Sequence, residues 1–142
     1  MTTPEQIREI FKNFKTIAVY GMSKNREKPA HTVPAYLLLQ GYEIIPINPS
    51  AEEILNRKCY PSLKAVEEDI DILEVFRPSE EAPGVVREAV ERRTERGDIA
   101  VIWLQEGIIS DEARRLAEEA GIAFVQDRCM YKEYRRLSLE KR

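Results

Sequence analysis

The chain has 142 residues, 25 acidic against 22 basic, with a formal net charge of −3. That is the length of one domain, which on folding buries roughly two-thirds of its surface and requires no covalent staple. The mild acidity speaks against a basic nucleic-acid face, and no apolar run approaches the ~20 residues of a membrane span.

The opening "MTTPEQIREIFKNF" is too polar and acidic for a signal peptide, and reads as a helix. Thr3 caps it, Pro4 suits its first turn and Gln6 completes a capping box, with Ile7, Ile10, Phe11 and Phe14 at helical spacing. "TIAVYG", from Thr16, is a first strand broken by Gly21. The next helix is expected to take Thr32 as its cap, to carry Pro34 in its first turn, and to end at Gly41. "YEIIPINP" is a second strand, although Pro46 cannot donate to a sheet ladder.

"DILEVF", Asp71 to Phe76, is the third strand; "PGVVREAVERRTERG" is a helix ending near Gly97. "IAVIWL", Ile99 to Leu104, is the fourth strand. Ser110 then caps a helix whose positive N-terminus suits Asp111 and Glu112 and which Gly121 ends. "AFVQ" is a short fifth strand, and the chain after Cys129 reads as a basic helix. Strands alternating with helices imply an α/β fold. The expectation is a single domain over residues 1–142, with a Rossmann-like, doubly wound, parallel five-stranded sheet. Residues 1–15 add an N-terminal helix and 130–142 a C-terminal helix or tail. The expected strand order is 3-2-1-4-5.

Ligands of such sheets lie at the carboxyl ends of the strands. That rule selects Gly21 to His31, Asn48 to Ser50, Phe76 to Ser79, Leu104 to Gly107, and Gln126 to Cys129. In the first loop, "GMSKNREKPAHT", Gly21 allows close backbone approach, Ser23 offers a hydroxyl, and Lys24, Arg26 and Lys28 add cations. A phosphate before a helix N-terminus is one reading; a solvated loop is the other. The second strand ends in Asn48-Pro49, where an NAD domain usually carries a carboxylate, and the loop lacks the second and third glycines of that fingerprint. Arg77 suits a phosphate through its planar fork, or pairs with Glu80 or Glu81 at the surface.

Trp103, the only tryptophan, is either core or ligand platform, and Gln105 is better placed to face the crevice. Gly107 permits a turn toward Ser110. The only histidine, His31, precedes a helix among these residues and reads as a ligand contact or helix-end packing group. Cys59 and Cys129 show neither a disulfide framework nor zinc spacing, which fits reduced thiols in a cytoplasmic protein. Cys129 beside Arg128 is an activated thiolate or a buried inert thiol.

The blocks "GMSKNREKPAHTV", "YLLLQGYEIIPINP", "KCYPSL", "DILEVFRP", "VIWLQEGI" and "EEAGIAFVQDRCM" stand in an order and spacing that resembles the small, single-domain CoA-binding proteins. These are similar to the N-terminal CoA-binding domain of the succinyl-CoA synthetase α subunit. The resemblance runs from about Thr16 to about Arg136. It implies a Rossmann-like fold that binds coenzyme A, with the diphosphate at Gly21, Met22 and Ser23 near Lys28 and His31. The adenosine end would lie near Asn48, Pro49, Phe76, Arg77 and Pro78, and the pantetheine arm past Trp103, Gln105 and Gly107. Family members often carry Arg where this chain has Lys28. The synthetase's catalytic histidine lies outside the resembling region, and the family supplies no catalytic motif to carry over.

The expected function is therefore a protein that holds CoA or an acyl-CoA, alone, as a homodimer or for an acyl-CoA enzyme partner, with no nucleic acid, membrane or metal. The alternatives are a thiol-redox or acyl-CoA enzyme using Cys129, and an NAD(P)-binding sensor domain.

Overall fold

The computed structural model describes residues 2–137 and 139. It begins with the capping box at Thr3. The Thr3 hydroxyl accepts from the Gln6 N–H at 3.2 Å, and the Gln6 side chain accepts from the Thr3 N–H at 2.8 Å. Two otherwise unpaired donors of helix α1 (Pro4–Asn13) are satisfied in this way. Then follow β1 (Thr16–Tyr20), α2 (Pro29–Leu39), β2 (Glu43–Ile47) and a short hairpin of β3 (Glu53–Ile54) and β4 (Arg57–Lys58). The second half runs β5 (Ile72–Val75), α3 (Ala82–Arg96), β6 (Val101–Leu104), α4 (Asp111–Glu119), β7 (Ala123–Val125) and α5 (Met130–Arg136). The part of the expected C-terminal tail at 138 and 140–142 lies outside the described residues.

Five parallel strands form one sheet in the order β2-β1-β5-β6-β7. The parallel, Rossmann-like α/β architecture is as expected; the order is not. Numbered among the five, it is 2-1-3-4-5, because the third strand pairs beyond β1 rather than outside β2. Pro46 supplies a physical reason. Its carbonyl faces away from β1 and accepts from the Tyr60 N–H at 3.0 Å. In a strand a residue's N–H and C=O lie on the same edge, so the missing donor faces outward, where a proline is tolerated. A full strand there would meet no N–H at that position, and Tyr60 adds only a single bridge beside Ile47.

The connection from β2 to β5 contains no helix. Arginines of α3 hold it instead. Buried Arg92 donates to the carbonyls of Leu63 (2.9 Å), Val66 (3.0 Å) and Glu68 (2.9 Å), and its Nε meets Asp98 at 3.0 Å. Arg96 adds the carbonyls of Val66 (3.2 Å) and Glu67 (2.6 Å), and Asp98 also accepts from the Ile70 N–H at 3.0 Å. A segment without its own hydrogen-bond ladder thus has its carbonyls satisfied from outside.

Both sheet faces are covered, so the strands are almost continuously apolar. Ile17, Val19, Ile72 and Trp103 face α1, α2 and α5, meeting Phe11, Leu37 and Tyr134. The alternate residues Ala18, Leu73, Val75, Ile102 and Leu104 face α3 and α4, meeting Val86, Ala89, Ala113 and Ala117. One polar residue breaks the pattern: Glu74, fully buried in the first of these layers. Among the described residues no helix is long and apolar enough to cross a membrane.

Arg92→Met keeps the apolar stem of the side chain and removes its charge and donors. It leaves buried Asp98 without its ion-pair partner and strands the carbonyls of the crossover. Urea denaturation is expected to show a loss of about 3–5 kcal/mol; a loss below about 1 kcal/mol would mean that the crossover does not depend on this arginine.

Candidate functional site

The carboxyl ends of the strands open into a cleft of about 780 Å³, within the ~300–1,000 Å³ usual for small-molecule sites. All five segments singled out by the strand-end rule contribute to its wall. Gly21, Met22, Ser23 and Lys28 come from the first loop and Asn48 from the end of β2. Phe76, Arg77 and Pro78 follow β5, Gln105 and Glu106 follow β6, and Cys129 follows β7.

The first loop is shaped by a proline. Helix α2 starts at Pro29 with Lys28 as its cap, one turn earlier than a Thr32 cap implies. Pro34 therefore lies in the second turn, where its missing N–H leaves the Ala30 carbonyl without the usual partner four residues on. The Ser23 N–H takes that carbonyl at 3.1 Å. The Ser23 carbonyl in turn lies 2.7 Å from His31 Nδ1, and since a carbonyl can only accept, the proton sits on Nδ1. Gly21 and Met22 both donate to the Ile47 carbonyl, at 3.1 and 3.2 Å. Asn48 closes the other side: its amide N–H donates to the Met22 carbonyl at 2.8 Å and its oxygen accepts from the Ser50 N–H at 2.7 Å.

The backbone donors of Gly21, Met22 and Ser23 are thus spent inside the protein. They do not offer the open cradle expected of a phosphate loop. What faces the cleft is the start of α2, where the Ala30 N–H has no acceptor among the described residues, together with the hydroxyls of Ser23 and Thr32 and the cation of Lys28. The positive end of the helix dipole points the same way. Gly21 serves by its lack of a side chain. Its φ is +90°, and a Cβ there would lie 2.9 Å from the Phe76 carbonyl oxygen and 3.0 Å from Arg77 Cδ.

Four expected site residues stand off the cleft wall. Trp103 is wholly buried, its indole donating to the Arg128 carbonyl at 2.7 Å and its ring 5.6 Å from Phe11. His31 lies behind Ser23. Pro49 belongs to the turn beyond Asn48. The Gly107 N–H is held by Asp127 at 2.7 Å. Pro29 and Ala30, which join Lys28 to His31 in the segment the resemblance sets near the diphosphate, also line the wall; Thr32 and Val33 of α2, Glu106 and Ile108 after β6, and Tyr131 and Lys132 of α5 are wall residues not named as site residues from the sequence. Pro29, Ala30 and Glu106 lie inside segments the strand-end rule selects. Tyr131 and Lys132 had no such signal, because their position depends on α5 folding back onto α2, where Tyr131 meets Tyr36 edge-on at 4.6 Å.

The cleft's cations are largely paired. Arg77 holds Glu81 through Nε at 3.1 Å and Nη2 at 3.0 Å, the surface pairing its sequence context allowed. Lys132 holds Glu106 at 2.9 Å. Cys129 lies on the wall; Cys59 lies behind it, its thiol 3.5 Å from the Asn48 carbonyl, and burial pushes that thiol's pKa up.

Comparison with known proteins shows the family to which the chain belongs. The family model described as a CoA binding domain matches residues 15–135, so the chain belongs to that family. It is 39% identical over 125 residues to the uncharacterized protein YneT of Bacillus subtilis, covering 88% of this chain and 89% of that one. It is 32% identical over 93 residues to an ADP-forming acetate–CoA ligase (II) of Archaeoglobus fulgidus, covering 64% of this chain but only 14% of the ligase. A solved structure from Thermus thermophilus superposes with a TM-score of 0.87 at 38% identity, covering 96% of this chain and 99% of that one.

Gly21→Ala places a methyl group against the Phe76 carbonyl at a positive φ. The expected cost is about 1–3 kcal/mol in chemical denaturation. An unchanged stability would show that the loop and the end of β5 yield freely at this contact.

Proposed function

We propose that the cleft binds coenzyme A or an acyl-CoA and holds it without a catalytic step of its own. The observation that carries this reading is a cleft built from all five strand ends, facing the start of α2, in a chain of the CoA binding domain family. The physics is compatible. CoA carries roughly four negative charges near neutrality, and the cleft offers a helix N-terminus, Lys28, Arg77 and Lys132 in a protein that is acidic overall. In this reading the diphosphate lies against the start of α2 and Lys28, and the ribose phosphate takes Arg77 from Glu81. The adenosine lies toward Asn48 and Pro78, and the pantetheine arm passes Met22 and Gln105 toward Cys129. His31 supports the loop rather than a reaction, since its Nδ1 proton is committed to Ser23. Such a protein carries CoA or presents it to a partner enzyme.

A thermal-shift panel of CoA, acetyl-CoA, dephospho-CoA, NAD and NADP at equal concentration tests the ligand class. CoA at a hundredfold excess over its dissociation constant is expected to stabilise by about 2.7 kcal/mol, dephospho-CoA less, and NAD not at all. A shift with NAD or NADP alone would replace CoA by a dinucleotide. Arg77→Ala is expected to weaken CoA roughly ten- to a hundredfold by calorimetry, the worth of a charge-assisted bond of about 1.5–3 kcal/mol, while leaving dephospho-CoA nearly unchanged. Equal losses for both ligands would remove Arg77 from the ribose phosphate.

The position of Cys129 on the wall favours a second reading, in which the protein exchanges disulfides with CoA. The Cys129 thiolate attacks a CoA disulfide, one CoA thiolate leaves, and a protein–CoA mixed disulfide remains. Intact mass after incubation with CoA disulfide is expected to show one added CoA that a reductant removes and that Cys129→Ser lacks. Absence of the adduct in the unsubstituted protein ends this reading.

A further inference from the structure

Glu74 needs an explanation that the cleft's ligand contacts do not supply. It sits in β5, fully enclosed, and neither carboxyl oxygen has a hydrogen-bond partner among the described residues. A buried polar group with no partner is rare and costly in a native structure. Its surroundings offer no compensation. Toward this layer α1 presents Ile7, Ile10 and Phe11, and α2 presents Val33 and Leu37. From α5 come Met130 and Tyr134, while Glu133 is held by Arg136 at 2.7 Å and Arg128 at 3.6 Å. The layer's other titratable groups are Tyr42, Tyr134, Cys59 and Cys129, with Tyr36 and Tyr131 packed at its edge and His31 already bonded to Ser23. Burial is the influence on Glu74, and it pushes the pKa from 4.5 up to about 8. The side chain is therefore a neutral acid at neutral pH.

Its place in the sheet connects it to the cleft. Register sets Glu74 between Val19 of β1 and Trp103 of β6. Two residues further along these strands, on the same face, come Gly21, Phe76 and Gln105, which line the cleft. That is a rise of about 6.6 Å. This floor has no slack, because Gly21 and the Phe76 carbonyl already approach as closely as a missing side chain permits. An ionised carboxylate cannot remain dry and unpaired at this depth. The water-facing cavity that register sets beside it is the cleft, two residues up, behind the strand ends that form the floor.

We infer that Glu74 is a proton-operated latch beneath the cleft: protonated, it allows the strand ends to close as a floor; deprotonated, it parts them and releases the ligand. The inference rests on the reading of the cleft as a CoA site. The sign follows from linkage. The folded state holds a proton that the unfolded chain gives up at lower pH. The latch therefore lowers stability as pH rises from about 4.5 to about 8, and adds no further change above that.

The test is a calorimetric titration of CoA from pH 6.5 to 9.5 into the unsubstituted protein, Glu74→Gln and Glu74→Met, with amide hydrogen exchange on all three without ligand. CoA's own ionisations affect the three proteins alike. The unsubstituted protein is expected to lose about tenfold in affinity relative to the variants between pH 7 and 9, as the competent fraction falls to about one-tenth. The Phe76 N–H, which bonds the Tyr20 carbonyl at 2.9 Å, is expected to lose protection over the same range relative to the variants. Parallel affinity profiles for all three proteins overturn the latch. If CoA binds none of them at any pH, the cofactor reading fails; hydrogen exchange then decides the latch alone, and parallel protection profiles overturn it. Two variants are used so that a failure of one to fold leaves the comparison intact.

Discussion

Pro34 has no N–H to give to the carbonyl of Ala30, and the shape of the cleft depends on that omission. Were the donor present, α2 would close on itself and the Ser23 N–H would have to share the Ala30 carbonyl with it. Instead the first loop is sewn to the first turn of the helix it leads into, at 3.1 Å. The other stitches follow. With Ser23 fixed, its carbonyl meets His31; with Met22 fixed, its carbonyl meets Asn48. The Gly21 and Met22 donors are then turned toward Ile47. A proline in a helix interior ordinarily costs about 3 kcal/mol. Here the freed carbonyl is re-satisfied by the loop, which offsets part of that cost and leaves the loop pre-organised.

A pre-organised loop with its own donors occupied reads a ligand differently from an open phosphate cradle. What such a loop leaves to face the cleft are side chains, the Ala30 N–H and the helix dipole. The pairing of Arg77 with Glu81 and of Lys132 with Glu106 fits this division. Unpaired cations lining one cleft would repel one another in the empty protein. Carboxylates that hold them in place reduce that repulsion, and each exchange of a carboxylate for a ligand phosphate trades one ion pair for another. Such exchanges favour a ligand with several anionic groups over one with a single charge.

Much of the fold is legible in the residues because local signals agree with it: the capping box at Thr3, Ser110 as a cap, and Gly97 ending α3 with φ +77°. What is not legible depends on contacts distant in sequence. The side on which the third strand pairs depends on which edge of β2 Pro46 faces, and that appears only with the neighbours in place. The hairpin of β3 and β4 has two residues in each strand, too few for an alternating pattern. Arg92 and Arg96 look like part of a solvated helix face until the crossover from β2 to β5 is seen lying against them. Trp103 lies one residue before a strand-end segment in the sequence, yet strand alternation points it at Phe11 rather than the cleft. The cleft itself was largely legible, since one topological rule selected all five segments that line it. Its far wall was not, because α5 carries no mark of the helix it packs against.

Asn48 joins the loop's architecture to the choice of ligand. The end of β2 is where a dinucleotide domain for NAD usually carries a carboxylate for the ribose, and the absence of one here is more than a missing contact. At this position the side chain must donate to the Met22 carbonyl at 2.8 Å and accept from the Ser50 N–H at 2.7 Å. An ionised aspartate does the second and cannot do the first, because it would set one acceptor oxygen against another. A loop closed by Met22 and Asn48 therefore excludes a carboxylate at the end of β2. The same amide that holds the loop shut keeps that strand end free of a carboxylate, so the closure of the loop and the charge beside it are set by one side chain.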